Sequence, residues 1–316
     1  MDNNEILVEV KNIGKYYGDI KAVDDVSFAV KKGEVLGFLG PNGAGKSTTM
    51  KMLSCFISPS FGTASVKGFD IINSPEDVKR NLGYLPENAP AYEDMTVSDF
   101  LDFIADVRLL KGAQKKAKLD SIYELIALKN VRHQLIGTLS KGFKRRVCLA
   151  QAILHDPEVL IMDEPTDGLD PNQKFEVRQL IKQMSKDKVI ILSTHILEEV
   201  DEVCTRAIII AKGKIVADGT PESLRKKSDT YGTIHLTIEK NNYENATRVL
   251  SNLANIKNIV KSIEKHDLIQ LDIYPNGNAT DVINSVTSQL NSNSLKIYEI
   301  SVNPGNFSEV FRKITK

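Results

Sequence analysis

The sequence is short of cysteine, of net charge and of long hydrophobic runs, and each shortage excludes a class of function. Three cysteines occur in 316 residues: Cys55, Cys148 and Cys204. They are odd in number and far apart, so they make neither a disulfide framework nor a metal-ligand spacing. A reduced, cytoplasmic setting is the expectation. Forty-one basic residues balance 41 acidic ones, which leaves no electrostatic case for nucleic acid as a main partner. The longest apolar runs, Val159–Met162 and Ala207–Ala211, fall far below the ~20 residues that a membrane-spanning helix needs. Met1 to Lys11 is polar and charged, unlike a secretory signal. Any membrane role is therefore expected to come through a partner.

What is present suffices for a sizeable core: 41% of residues are hydrophobic, with 19 glycines besides. The length suits one large and one small domain. Val35–Leu39, Val159–Met162, Val189–Leu192 and Ala207–Ile210 are β-rich and almost continuously apolar. Such runs read as strands buried on both faces of a parallel sheet. They alternate with helical-period segments such as Thr48–Cys55 and Gln173–Met184, which predicts an α/β domain. Between about Ala89 and Asp156 the pattern turns helical, through Phe100, Leu101, Phe103 and Ile104 and then Ile122, Leu125, Ile126 and Leu128. This predicts a helical subdomain inserted into the α/β core. The basic stretch Lys111–Lys118 within it reads as a solvated surface.

After Arg225–Asp229 a second unit begins, and it carries a weak internal repeat. Ile234, Leu236 and Ile238 alternate with polar residues, as do Ile269, Leu271 and Ile273. Each strand is followed by a similar helix start, Asn245-Ala246-Thr247 and Asn278-Ala279-Thr280, and then by another strand near Ile259–Ile263 and Leu295–Ile300. This βαβ-βαβ order predicts a ferredoxin-like α+β domain. The expected boundaries are residues 1–228 and 229–316, with the helical subdomain at about 89–156.

The chemistry concentrates in the first unit. Gly40-Pro41-Asn42-Gly43-Ala44-Gly45-Lys46-Ser47, with Thr48 next, matches the P-loop pattern between a strand and a helix. Small residues let successive backbone N–H groups curl around phosphates at the positive end of a helix. Lys46 can then reach the β- and γ-phosphates of ATP, and Ser47 can ligate Mg²⁺. Val159-Leu160-Ile161-Met162 is an apolar strand ending in Asp163 and Glu164. Asp163 is placed for the Mg²⁺ shell and Glu164 for polarising the attacking water.

Leu139-Ser140-Lys141-Gly142-Phe143, about twenty residues before the acidic strand, resembles the signature of ATP-binding-cassette (ABC) proteins. Gly168-Leu169-Asp170 resembles their D-loop, and Thr194-His195 their switch histidine. Tyr17 stands where the family stacks an aromatic on adenine, with Tyr16 as a weaker candidate. The resemblance covers roughly residues 5–225. It implies an ATPase subunit of a transporter, working as a homodimer, or beside a second ATPase subunit, on the inner face of the cell membrane with a membrane permease. Each ATP would lie between one P-loop and the partner's signature, with Ser140 and Gly142 aiming a helix N-terminus at the γ-phosphate and His195 touching the same group.

Two positions depart from the family pattern. Glu87 replaces the usual Q-loop glutamine after Gly83-Tyr84-Leu85-Pro86, yet still offers Mg²⁺ an oxygen. Lys141 and Phe143 stand in the signature where glycine and glutamine are usual. Both substitutions are similar to those of the ABC-2 exporter class, including its gliding-motility and multidrug branches, and the ending Asn306-Phe307-Ser308-Glu309-Val310-Phe311 is similar too. A groove formed by the Glu87 loop and the helical subdomain, lined by Tyr92, Met95, Val97 and Phe100, is expected to receive the permease. A soluble non-transport ABC ATPase in an assembly role and a nucleotide-sensing regulatory module are the alternative readings.

Overall fold

A computed structural model describes residues 5–88 and 91–316. The expected start of the helical subdomain at Ala89, and the first residues of Met1–Lys11, lie outside the described residues. The chain splits into two compact units, Met1–Pro221 with Ile314–Lys316, and Glu222–Lys313.

In chain order the first unit opens with β1 (Ile6–Tyr17), β2 (Ile20–Lys31) and β3 (Val35–Leu39), which runs into α1 (Lys46–Leu53). Then come β4 (Phe61–Val66), β5 (Phe69–Asp70), α2 (Pro75–Asn81) and β6 (Leu82–Leu85). Three helices follow: α3 (Val97–Val107), α4 (Gly112–Leu125) and α5 (Lys141–Ile153). The chain returns through β7 (Val159–Asp163), α6 (Pro171–Met184), β8 (Val189–Thr194), α7 (Leu197–Val203), β9 (Arg206–Ala211) and β10 (Lys214–Gly219).

Two sheets result, one in the order β2-β1-β4-β5 and the other β10-β9-β3-β8-β7-β6. In the second, β9, β3, β8, β7 and β6 run parallel. Every residue of β3, β7 and β8 is buried, as continuous apolar runs require when both faces are covered. The register pairs Leu39 with Thr194 and Asp163 with Ser193. Gly40, Glu164 and His195 therefore leave the sheet together at one edge, the carboxyl ends of the strands, where open α/β sheets bind ligands.

The helical stretch starts with a reciprocal cap: Thr96 Oγ1 accepts from the Asp99 amide at 3.1 Å and donates to Asp99 Oδ2 at 2.7 Å. On α3 the apolar face carries Val97 and Phe100, which are 0% and 1% exposed. They are core and cannot line a groove, which corrects the expectation for these two residues. Tyr92, Phe103 and Val107 are exposed instead. The basic stretch on α4 is tied to neighbouring acids, with Lys115 on Asp102 and Asp106 and Lys118 on Asp156.

Past α8 (Pro221–Arg225), the second unit contains β11 (Ile234–Glu239), α9 (Tyr243–Ser251), β12 (Ile256–Lys265), β13 (Leu268–Pro275), α10 (Ala279–Ser292) and β14 (Ile297–Val302), before α11 (Phe307–Ile314). The sheet order β12-β13-β11-β14, antiparallel throughout, is ferredoxin-like. Ile234, Leu236, Ile238, Ile269, Leu271 and Ile273 are all buried on one face. The opposite face carries a polar network in which His235 Nδ1 lies 2.7 Å from Asp272 Oδ1 and Ser262 Oγ donates to that same oxygen at 2.8 Å. The two Asn-Ala-Thr triplets are not equivalent. Asn278 caps α10, accepting from the Thr280 amide at 3.0 Å. Asn245 lies inside α9, because a 3₁₀ turn at Lys240–Asn242 leads straight into that helix and starts it at Tyr243.

Candidate nucleotide site

The loop between β3 and α1 is shaped by its glycines. Gly43 has φ +77° and Gly45 φ +111°, and a Cβ on Gly45 would stand 2.5 Å from the Ala22 carbonyl oxygen. Only glycine meets both demands without strain. The turn folds Lys46 back over its own loop, so that Nζ donates to the Gly40 carbonyl at 2.7 Å and the Pro41 carbonyl at 3.4 Å. The same nitrogen lies 3.9 Å from Glu164 Oε1. Burial pulls the Lys46 pKa below the ordinary lysine value, with the charges of Glu164, Asp163 and Glu87 opposing that shift.

Ser47 Oγ donates to Asp163 Oδ1 at 3.2 Å. Asp163 ends β7 and is 1% exposed; Ser193 Oγ donates to the same oxygen. Glu164 has left-handed backbone, φ +49°, a region a glutamate rarely adopts. Its amide is held by the Ser193 carbonyl at 3.2 Å and by Ser193 Oγ at 3.1 Å. The Glu164 carboxylate then sits between two cationic or ionisable groups, with Oε2 at 2.9 Å from His195 Nδ1. Lys46, Ser47, Glu164 and His195 line one open cleft of about 540 Å³, together with Asn42, Gly43, Ala44, Gly45, Thr48, Asp167, Glu87 and Ala22. The Ser47 hydroxyl and Asp163 carboxylate converge as hard oxygen donors. That set suits Mg²⁺, which takes one or two protein ligands and completes its octahedron with phosphate oxygens and water.

Other candidates lie elsewhere. Gly40 and Pro41 contribute carbonyls to Lys46 but no wall of the cleft. Tyr17 is 50% exposed and does not line it; Lys15 Nζ lies 5.3 Å from its ring centre. Tyr16 is packed edge-on against Phe61 and donates its hydroxyl to Asp24 Oδ1 at 2.6 Å. Ser140 and Gly142 also lie outside the cleft. Ser140 caps α5 directly, accepting from the Phe143 amide at 3.4 Å. The helix thus starts at Lys141 and includes Gly142, two residues earlier than a start after the glycine. Two residues beside the site went unread in the sequence. Ser193, fully buried, organises both acids, and Arg145 binds backbone carbonyls behind them. A serine at a strand end and an arginine in a Lys-Arg-Arg run carry no pattern that reveals such contacts.

The ABC transporter family model matches residues 23–167, from β2 through the P-loop and signature to just past Glu164. Over nearly the whole chain, the linearmycin resistance ATP-binding protein LnrL of Bacillus subtilis (strain 168) is 30% identical across 311 residues, 98% of each chain. The chain belongs to the ABC transporter ATP-binding proteins. It is an ABC-type ATPase with a P-loop core. The probable multidrug ABC transporter ATP-binding protein YbhF of Escherichia coli (strain K12) is 38% identical over 225 residues, 71% of this chain. This chain spans 39% of the length of YbhF. A solved ATP-binding subunit of an ABC transporter superposes with TM-score 0.65 at 32% identity, covering 70% of this chain and 92% of that one. Among the described residues, no helix is long and apolar enough to cross a membrane.

Proposed function

We propose that this ABC ATPase drives an exporter, pairing with a second ATPase subunit around two ATP molecules and docking beneath a membrane permease at the inner face of the membrane. The observation that supports this reading is the convergence of Lys46, Ser47, Glu164 and His195 on one cleft, with the buried Asp163 accepting from Ser47. The loop amides from Asn42 to Thr48 and the Lys46 ammonium bind the ATP phosphates. Ser47, Asp163 and, from the rim, Glu87 would hold Mg²⁺, which supplies neutralisation of phosphate charge. Glu164 takes a proton from the attacking water. His195 holds the carboxylate from the open side of the cleft and faces the γ-phosphate. Tyr17 receives the adenine, and Ser140 and Gly142 present the N-terminus of α5 to the partner's ATP.

The names of LnrL and YbhF, with their resistance and multidrug roles, favour export. In this reading residues 1–228 form the nucleotide-binding domain and 229–316 an accessory domain that regulates or dimerises. The permease contact is assigned to the Glu87 loop and the exposed edge of the helical subdomain. There Tyr92 stacks edge-on against Phe103 at 6.0 Å between ring centres, with Val107 exposed on the same helix. A photo-crosslinker at Tyr92, in cells that produce the transporter, should capture a polytopic membrane protein. Capture of none, with the permease present, would sink the docking assignment.

A further inference from the structure

We infer that Arg145 is a positioning residue for hydrolysis, tying the signature helix to both loops that carry the acidic groups of the cleft. The inference rests on the hydrolytic reading above. Arg145 lies on α5, five residues beyond Ser140. Its Nη1 donates to the Pro86 carbonyl at 2.9 Å and the Glu87 carbonyl at 2.7 Å. Its Nη2 donates to the carbonyls of Asp163 at 2.8 Å and Glu164 at 2.7 Å, and Nε to that of Pro165 at 3.2 Å. A guanidinium has five N–H donors in a rigid plane, and here all five meet main-chain oxygens.

The distribution of those oxygens gives the residue its role. Two belong to the loop that carries Glu87, and three to the segment that carries Asp163 and Glu164. The left-handed Glu164 residue is thereby fixed on both sides, its amide by Ser193 and its carbonyl by Arg145. A strained conformation persists only where its surroundings over-determine it. Burial lowers the Arg145 pKa, but a guanidinium stays charged. In the paired subunits the same helix faces the partner's nucleotide, so a shift of α5 is transmitted directly to the subunit's own carboxylate.

Arg145→Lys is the informative variant, because one ammonium cannot span five carbonyls. It leaves the P-loop untouched. The expected result is a fall in kcat of about 10- to 100-fold, the usual cost of a misplaced catalytic group, with ATP affinity within about twofold of wild type. In a Glu164→Gln background the same change should cost nothing further, since it acts through Glu164. Unchanged kcat in Arg145→Lys would overturn the inference. So would losses that multiply independently with Glu164→Gln, or a joint fall of kcat, ATP affinity and melting temperature. Arg145→Gln serves as the second variant; if neither folds, Arg145 supports the fold alone and the inference fails. Absence of Mg²⁺-dependent turnover in the wild type would instead defeat the hydrolytic reading.

Discussion

His155 sets up an acid sensitivity that the structure allows to be worked out. It follows α5, with Nε2 at 3.1 Å from the Leu82 carbonyl and a buried Nδ1 that has no hydrogen-bond partner among the described residues. Burial first, and then the nearby Arg108 guanidinium, lower its pKa from 6.5 to about 4. The unfolded chain thus binds a proton between these values that the folded chain refuses. Stability must fall as pH drops through the window from 6.5 to about 4, and it is fully present above 6.5. For one such group the loss between about pH 7.5 and pH 5 comes to about 2 kcal/mol, and it approaches roughly 3 kcal/mol below pH 4. Asp156, held down to about 2 by Lys118 and Lys188, contributes only below this window. Urea unfolding followed by circular dichroism at both pH values, on wild type and His155→Gln, measures the difference. The variant should lose about 2 kcal/mol less than wild type on acidification. Equal losses in the two proteins would refute the argument.

Lys46→Met removes a buried ammonium bound to two carbonyls, and its charge from the phosphate site. A hydrogen bond to a charged group contributes about 1.5–3 kcal/mol, so nucleotide titration should show ATP affinity about 10- to 100-fold weaker. Leu271→Ala hollows the core of the second unit, where Leu271 is fully buried. It should cost about 2–5 kcal/mol, read as a lowered urea midpoint for that unit with ATP affinity unchanged.

The parts of this molecule that were legible beforehand are those in which a local pattern carries the physics. The alternation Ile234, Leu236, Ile238 marks a half-buried strand, and those side chains are buried. The glycine spacing before Lys46 reads as a phosphate loop because a strand and a helix must flank it, and they do. Illegible were contacts made by main-chain oxygens from distant segments. The carbonyls that Arg145 gathers lie up to 59 residues away, and nothing in their own residue types announces them. Val97 and Phe100 illustrate a different limit. Their helical spacing identifies an apolar face, but a core and a docking groove ask for the same residues. The start of α9 was displaced by a 3₁₀ turn, Lys240–Asn242, whose last residue takes the N-cap position of the helix without a side-chain cap bond. The left-handed backbone at Glu164 was invisible for a similar reason, since it is imposed by Ser193 and Arg145 rather than chosen by glutamate.

In the proposed mechanism Glu164 performs the proton transfer in a site otherwise built to bind. Glu164→Gln preserves the shape of the side chain and leaves Lys46, Ser47 and Asp163 in place. The direct measurement is single-turnover hydrolysis of Mg²⁺-ATP by this variant beside wild type, with nucleotide affinity determined on the same samples. The expected outcome is ATP binding within about twofold of wild type and hydrolysis slowed by roughly 10²–10⁴, with bound ATP holding subunits together as sedimenting dimers. A single-turnover rate equal to that of wild type would contradict it.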